Sequence, residues 1–333
     1  MKHESSRPRA FSASPALSPP VDWQGGEMTT TEATTVPTRG AYMNWTLGQK
    51  IVTSLSDGFN PVDYDIIHSV TPEKGAELQM AANRPARPVF THTMFLIRGA
   101  DHGPILVDAG MGNMAGPTLG WLPDSLAMAG IAPENIELVL LTHLHPDHCF
   151  GLVDDAGRAR FPNARLAVHN DEYAFWFEPE REAKAPDSLK PYFALVRASA
   201  EPYRERIEFF RDGVVAPGVT VFPLPGHTPG HSGFKVSSAG QDLLIWADTL
   251  HLPAIQPSCP DAGVIHDVDR NAAAATRKRI FAEVAAKRQL VAGCHLEFPS
   301  VARLIRDGDA YRLSPAFWPS AAGETQVTAQ AQS

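Results

Sequence analysis

The stretch Leu141-Thr142-His143-Leu144-His145-Pro146-Asp147-His148 decides how this chain is read. It follows a short apolar run, Ile136 to Leu141, interrupted only by Glu137. A run that short, bounded by turn residues, reads as a buried strand. The strand empties into three histidines and an aspartate. His143 and His145 are two apart and would point the same way in an extended segment. Pro146 ends the extension and turns the chain. Asp147 and His148 then open a new direction, as a second pair of ligands requires. Imidazole and carboxylate together are the ligand set of zinc-like metals. One histidine here would read as an ordinary loop residue. Three within six positions, with an aspartate among them, read as a metal site.

The pattern recurs downstream. Val219 to Leu224 reads as a strand that ends in Pro225-Gly226-His227-Thr228-Pro229-Gly230-His231-Ser232. Leu243 to Trp246 reads as another, ending in Ala247-Asp248-Thr249-Leu250-His251. A third, Gln289 to Ala292, ends in Gly293-Cys294-His295. His143, His227, Asp248 and His295 thus each follow a short apolar strand. Functional groups of α/β folds collect on loops at one end of a sheet, so these four loops are expected to share one site.

Other segments fill in the frame. Ile51 to Leu55, closed by Ser56-Asp57-Gly58, reads as a strand ending in a turn. Thr91 to Arg98 and Pro104 to Val107 read as a hairpin around Gly99 to Gly103. Pro123 to Ala129 reads as a helix ended by Gly130, and Asn271 to Lys287 as an Ala-rich helix. Arg165 to His169 reads as a strand and Asp171 to Phe177 as a helix start. Residues 178–212 read as a helical excursion over one face, a candidate substrate lid. Strands alternating with helices, with some hairpins, imply an α/β fold of two mixed sheets packed face to face and covered by helices. Residues 1–40 are rich in Ser, Pro and Thr and read as a disordered or loosely attached arm. The domain is expected over 41–320, and 321–333 as a polar, frayed tail.

Bulk properties narrow the function classes. The chain has 333 residues, 44% hydrophobic and 20% charged, which suits a soluble protein with a substantial core. Net charge is -8 with no Lys or Arg run, which argues against nucleic-acid or anionic-membrane partners. Cys149, Cys259 and Cys294 are too few and too widely spaced for a disulfide framework. Cys149 and Cys294, each beside a candidate ligand histidine, read as small residues packing the site floor. No apolar stretch reaches transmembrane length and the N-terminus carries no apolar leader, so a cytoplasmic location is the default expectation.

The four motifs, in order and rough spacing, resemble those of the metallo-β-lactamase superfamily over about residues 45–315. Within it, Asp248 to Pro257 and His295 to Pro299 followed by Gly308 to Arg312 are similar to the branch holding methyl parathion hydrolase and the acyl-homoserine lactonases. The resemblance implies the four-layer αβ/βα sandwich of two mixed sheets flanked by helices. It implies that His143, His145 and His227 bind one divalent metal, that Asp147, His148 and His295 bind another, and that Asp248 bridges both. Zinc is the first expectation, and manganese, cobalt or iron accept similar ligands. Two metals about 3.5 to 4 Å apart can hold a hydroxide and lower its pKa towards neutrality. The implied reaction is hydrolysis of an ester-like bond in a small molecule (a lactone, an aryl ester or an organophosphate triester), with Asp147 steadying the nucleophile. Oligomeric state is open, a homodimer included.

Beyond the ligands, Asp108 ends a strand before Ala-Gly and is expected to orient a ligand histidine from behind. His251, three residues past Asp248, is a candidate to face the pocket, and His231 either supports the site or caps the next segment. Among Phe175, Trp176 and Phe177, at most one or two can line an apolar cleft, since consecutive helix residues diverge, and plain core packing is the commoner outcome. Trp176 is carried as the candidate, to touch substrate or to back a ligand. His3, His68, His92, His102, His169 and His266 have no motif support and read as ordinary surface or core histidines.

The main alternative is a non-heme iron oxidoreductase on the same fold. Diiron relatives carry glutamate where this chain has His145, which counts against them; a sulfur dioxygenase-like enzyme keeps the histidines and is separated by metal analysis. A nuclease is disfavoured by the net charge. A β-lactamase proper differs in the His148 and Asp248 arrangement.

Overall fold

The computed structural model describes residues 39–114, 116–185 and 189–317. The expected N-terminal arm, apart from its last two residues, and the polar tail lie outside them.

In the first half, β1 (Tyr42–Leu47) and β2 (Lys50–Pro61) form an antiparallel hairpin. After β3 (Ile67–His68) and α1 (Pro72–Ala81), β4 (Val89–Arg98) and β5 (Ile105–Val107) pair antiparallel as the expected second hairpin. Then come α2 (Leu122–Met128), β6 (Leu138–Leu140), α3 (Pro146–Cys149), β7 (Arg165–His169), α4 (Asn170–Phe177), α5 (Pro179–Lys184), α6 (Lys190–Ala200) and β8 (Ile207–Phe210). These strands make a seven-stranded sheet in the order β1-β2-β4-β5-β6-β7-β8, parallel from β5 to β8.

In the second half run β9 (Val214–Ala216), β10 (Val219–Pro223), β11 (Ser232–Ser238) and β12 (Gln241–Ile245). β13 (Gly263–Val264), α7 (Arg270–Ala286), β14 (Leu290–Ala292), β15 (Val301–Asp307) and β16 (Ala310–Pro315) follow. The second seven-stranded sheet has the order β16-β15-β14-β12-β11-β10-β9, with β12 and β14 its parallel pair. β13 pairs with β3 as a small separate ribbon.

Period-two alternation sorts the side chains into layers. Along β4, Phe95 and Ile97 point between the sheets, where they meet Phe234, Val236, Leu243 and Ile245. Met94 and Leu96 point outward and pack under Leu122, Leu126, Trp176, Phe193 and Val196. Along β12, Leu244 and then Trp246 face outward onto Ile280, Phe281 and Val284 of α7. Both sheets are therefore apolar on both faces and helices cover the outside, which is the four-layer α/β sandwich expected.

Two local expectations change. The strand at Ile51 does not stop at Ser56-Asp57-Gly58; β2 runs through to Pro61. A shift of register against β4 between Ser56 and Gly58 marks a bulge, with Gly58 at φ +103°. Pairing with β4 overrides the local turn signal. The expected lid region is in part structural: α6 buries Phe193 and Val196 in the outer core beside Trp176.

Candidate metal centre

Four strand ends deliver the polar side chains. β6 ends at Leu140, and the chain passes through His143 and His145 to Pro146 at the first position of α3. That position suits proline, because its missing N–H would be unpaired anyway. The single turn of α3 then carries Asp147 and His148. His227 follows β10, Asp248 follows β12 and His295 follows β14. Gly226 lets the His227 loop lie on α7: it sits at φ +131°, and a Cβ there would come 2.2 Å from the Ala273 nitrogen.

The seven expected ligands come together as two groups. His143, His145 and His227 form one, and Asp147, His148, Asp248 and His295 the other. In the first, His145 Nδ1 lies 3.1 Å from His143 Nε2 and 2.9 Å from His227 Nε2. In the second, Asp147 Oδ2 lies 3.5 Å from His148 Nε2 and 3.4 Å from His295 Nε2. Asp248 touches both groups. Its Oδ2 is 3.6 Å and 3.4 Å from the Nε2 atoms of His143 and His227, and 3.3 Å and 3.2 Å from those of His148 and His295.

The outward nitrogens are held from behind. His143 Nδ1 donates to the Thr142 hydroxyl at 3.1 Å, and that hydroxyl donates to Asp108 at 2.8 Å. His148 Nδ1 donates to Asp108 at 2.8 Å, His227 Nδ1 to Asp267 at 2.7 Å, and His295 Nδ1 to the Thr91 carbonyl at 2.9 Å. A proton fixed on Nδ1 leaves the Nε2 lone pair facing inward, which is the tautomer a metal ligand needs. Asp108 thus has the supporting position expected of it, at φ +62° and fully buried.

Electrostatics at the centre point the same way. Burial, with the neighbouring His148 and His227 charges, pushes His143 and His145 well below the usual imidazole range, so both are neutral donors. Burial also opposes charge on His148, His227 and His295, yet the surrounding carboxylates outweigh it. His227 is held at about 9 by Asp248 and Asp267, and His148 and His295 are raised as well. Asp147 and Asp248 stay ionised well below the usual carboxylate range despite their burial, with His148 the foremost cause of each. The carboxylates therefore demand positive charge here, which divalent cations would supply in place of protons. Asp248 Oδ1 and His148 Nε2 are buried with no hydrogen-bond partner among the described residues. Five imidazoles and two carboxylates converging in this way fit a pair of metal ions.

The other candidates divide. His251 lies in the site: its Nε2 is 3.1 Å from Asp248 Oδ2 and its ring stacks on His295 at 4.9 Å. His231 supports the centre from below, donating through Nδ1 to the Leu224 carbonyl and accepting the Asp248 N–H on Nε2 at 3.2 Å. Trp176 is wholly buried and so does not line an open cleft. Its N–H is committed to Glu172 and its ring backs His145 at 5.8 Å.

Three buried groups escaped the sequence reading. Glu172 accepts from Leu144 N, Trp176 Nε1, the Thr228 hydroxyl and Gly230 N, tying the first histidine loop to the His227 loop. Asp267 orients His227. His92, read as an ordinary histidine, stands 3.2 Å from Asp147. Glu172, Asp267 and His92 carry no local pattern that marks them.

Known proteins share this architecture. Residues 87–295 match the metallo-beta-lactamase superfamily. The N-acyl homoserine lactonase AiiB of Agrobacterium fabrum is 32% identical over 155 residues, 44% of this chain and 52% of that protein. The N-acyl homoserine lactonase AttM of Azorhizobium caulinodans is 32% identical over 113 residues, 32% of this chain and 38% of that protein. The chain thus spans about half or less of the length of these relatives. Among solved structures, the hydrolase AbOPH of the beta lactamase superfamily is 29% identical, with a TM-score of 0.79 over 84% of this chain and 98% of its own. AidC, a dizinc quorum-quenching lactonase, has a TM-score of 0.80 at 23% identity over 85% of this chain and 99% of its own, a likeness of fold. The superfamily match covers more than half of the chain and takes in all seven converging side chains, and this chain belongs to the metallo-beta-lactamase superfamily.

Proposed function

We propose that this chain is a dinuclear metal-dependent hydrolase of ester-like bonds, with lactones as its first substrate class. One observation carries the reading: Asp248 Oδ2 stands between a three-histidine group and an aspartate-histidine group, within 3.6 Å of an imidazole nitrogen from each. His143, His145 and His227 would hold one ion, Asp147, His148 and His295 the other, and Asp248 both. Zinc is the first choice, with manganese, cobalt and iron accepting the same donors. When bound, such a pair polarises a carbonyl or phosphoryl oxygen and brings the pKa of water towards neutrality.

The chain's own groups do the rest. The side chain of Asp147 is 17% exposed, against at most 3% for Asp248 and the ligand histidines of the ion pairs it joins, so it borders the route of solvent and substrate. It is the carboxylate suited to take a proton from attacking water. His251 donates through Nε2 to Asp248, which leaves its Nδ1 as a buried lone pair without a partner among the described residues. That atom can accept a hydrogen bond during turnover. Burial lowers His251 to about 4, so it is neutral near pH 7 and acts as a hydrogen-bond acceptor rather than as a base. Trp176 and Phe90 give the site apolar walls behind His145 and beside His251.

The lactonase relatives support lactones over aryl esters and phosphotriesters, and their hydrolytic names weigh against the iron oxidoreductase alternative. The test is metal analysis of purified protein beside hydrolysis of an acyl-homoserine lactone, an aryl ester and a phosphotriester. Two ions per chain and fastest turnover of the lactone are expected. Less than one ion per chain, or no hydrolysis of any of the three, overturns the reading.

A further inference from the structure

We infer that His266 is a specificity-determining residue: from the tip of a rigid turn beside the metal centre it hydrogen-bonds an amide that the substrate carries next to its scissile carbonyl. The inference rests on the lactone reading above. His266 reads from the sequence as an ordinary histidine, and it joins neither group of converging ligands. Its ring nevertheless stands 6.3 Å from that of His145, at 66°. The charges of His227, Asp147 and Asp248 bear on it as well, so it borders both groups. Unlike the buried imidazoles of the centre, His266 is exposed. Its ring nitrogens make no hydrogen bond among the described residues.

The turn that carries His266 is fixed at both ends. Asp267 N–H donates to the Val264 carbonyl at 3.0 Å and Val264 N–H to the Asp267 carboxylate at 3.3 Å, which leaves Ile265 and His266 at the tip. On one side, Ile265 N–H donates to the Ile66 carbonyl at 2.8 Å, beside the β13–β3 ribbon. On the other, Val268 N–H donates to the His227 carbonyl at 2.9 Å and Asp269 N–H to that of Gly226 at 3.0 Å. The tip is thus tied to the His227 loop, and little ordering remains to be done when a ligand arrives. No internal contact requires an imidazole at this position, since the tip of a turn accepts most residues. A ring that is held, exposed and unpaired beside the centre is available to a ligand. Neutral imidazole offers one donor and one acceptor, and an amide offers both in return, so the two pair whichever nitrogen carries the proton. Ile265 and Val268, 48% and 43% exposed, add apolar surface beside the ring, which suits a hydrocarbon chain beyond the amide. A substrate whose carbonyl sits among the seven ligands meets this turn past His145, a few bonds further along. The substrate class is therefore a lactone that bears an acylamino group on the carbon beside its carbonyl.

The experiment compares the metal-loaded full chain as wild type, His266→Phe and His266→Gln. Calorimetry measures binding of a non-hydrolysable lactam that carries an acylamino chain, and of the same lactam with an alkyl chain of equal length and no exocyclic amide. Wild type should bind the acylamino lactam more tightly. His266→Phe keeps a ring but has no nitrogen; it should bind that lactam about 3- to 10-fold more weakly, with the alkyl lactam changed by a smaller factor. His266→Gln, whose amide still donates and accepts, should recover part of the loss. Hydrolysis of the two corresponding lactones should show the same ratio, with the loss mainly in KM. If neither lactam binds, that KM ratio carries the test. Equal changes for both chains, or none, overturn the role of His266. Loss of an ion from either variant also overturns it, because the ring then supports His145 rather than the substrate. Fewer than two ions in wild type, or two ions with no hydrolysis of either lactone, overturns the function proposed above and this inference with it.

Discussion

His227 and Asp267, forty positions apart, are joined by a 2.7 Å hydrogen bond in which the imidazole Nδ1–H donates to a carboxylate that is nearly wholly buried. Asp267 faces a buried cation in turn, Arg277 of α7, at 3.7 Å. Arg277 donates to the carbonyls of Thr249, Pro260 and Ala262. Removing one partner of such a pair leaves a buried charge uncompensated. The arrangement ties the aim of His227 to α7 and to the loop directly after Asp248.

Asp267→Asn tests that tie. The amide can still accept from Nδ1 but no longer stabilises the imidazole electrostatically or balances Arg277. Affinity for the ion held by His143, His145 and His227 should fall about 10- to 100-fold, with the second ion less affected. Metal titration by calorimetry measures it. Equal affinities in variant and wild type would mean that packing alone orients His227.

Asp248→Ala probes the shared carboxylate. In the site as built, one oxygen meets imidazoles of both groups, so its loss should weaken both ions together and reduce hydrolysis by about 100-fold or more. A variant that retains full metal content and full rate would show that Asp248 is no bridge.

Much of this centre was legible because its signals are local. Short apolar runs, a proline turn and a histidine or aspartate directly after each run suffice to mark His143, His227, Asp248 and His295. Asp108 was legible for the same reason. The supporting groups were not. Glu172 serves Leu144 and Thr228 across 28 and 56 positions, and only the folded chain brings them together. His92 sits mid-strand between two threonines, where nothing distinguishes a site residue from a packed one. Trp176 packs towards Phe193 and the core with its ring behind His145, an outcome that adjacency to Phe175 and Phe177 alone could not choose. At Asp57-Gly58 the turn signal was real but local, and pairing with β4 carried the strand on as a bulge.

Glu172→Gln addresses the brace between the two histidine loops. All four of its partners are donors, so an amide NH2 in its place must face at least one of them. The expected cost is about 1 to 3 kcal/mol, from one or two buried hydrogen bonds lost or opposed. Urea denaturation of the metal-loaded protein should show the lower midpoint at an unchanged slope. An unchanged midpoint would mean that the loops hold their places without this carboxylate.

Asp57 gives the fold a pH dependence at a residue that is not itself one of the metal ligands, although the Asp147 charge bears on it. It is fully buried at the β2 bulge and accepts from Met111 N and Leu122 N at 2.8 Å each. Burial nevertheless pushes its pKa from 3.8 up to about 7. An acid raised in the folded state contributes stability that is fully present below the unfolded value of 3.8 and is lost as pH rises through about 7. At about 1.4 kcal/mol per unit, the part lost between about pH 5 and pH 8 is roughly 2 to 3 kcal/mol. Asp57→Asn cannot ionise, so it is less stable than wild type at about pH 5 by its lost hydrogen bond, and the gap should narrow or reverse by about pH 8. Urea midpoints of both proteins, metal-saturated at each pH, measure the difference, and subtraction cancels the histidines common to both. A gap that stays constant across that window would mean that Asp57 is already ionised in the folded protein at about pH 5, its two backbone donors outweighing its burial.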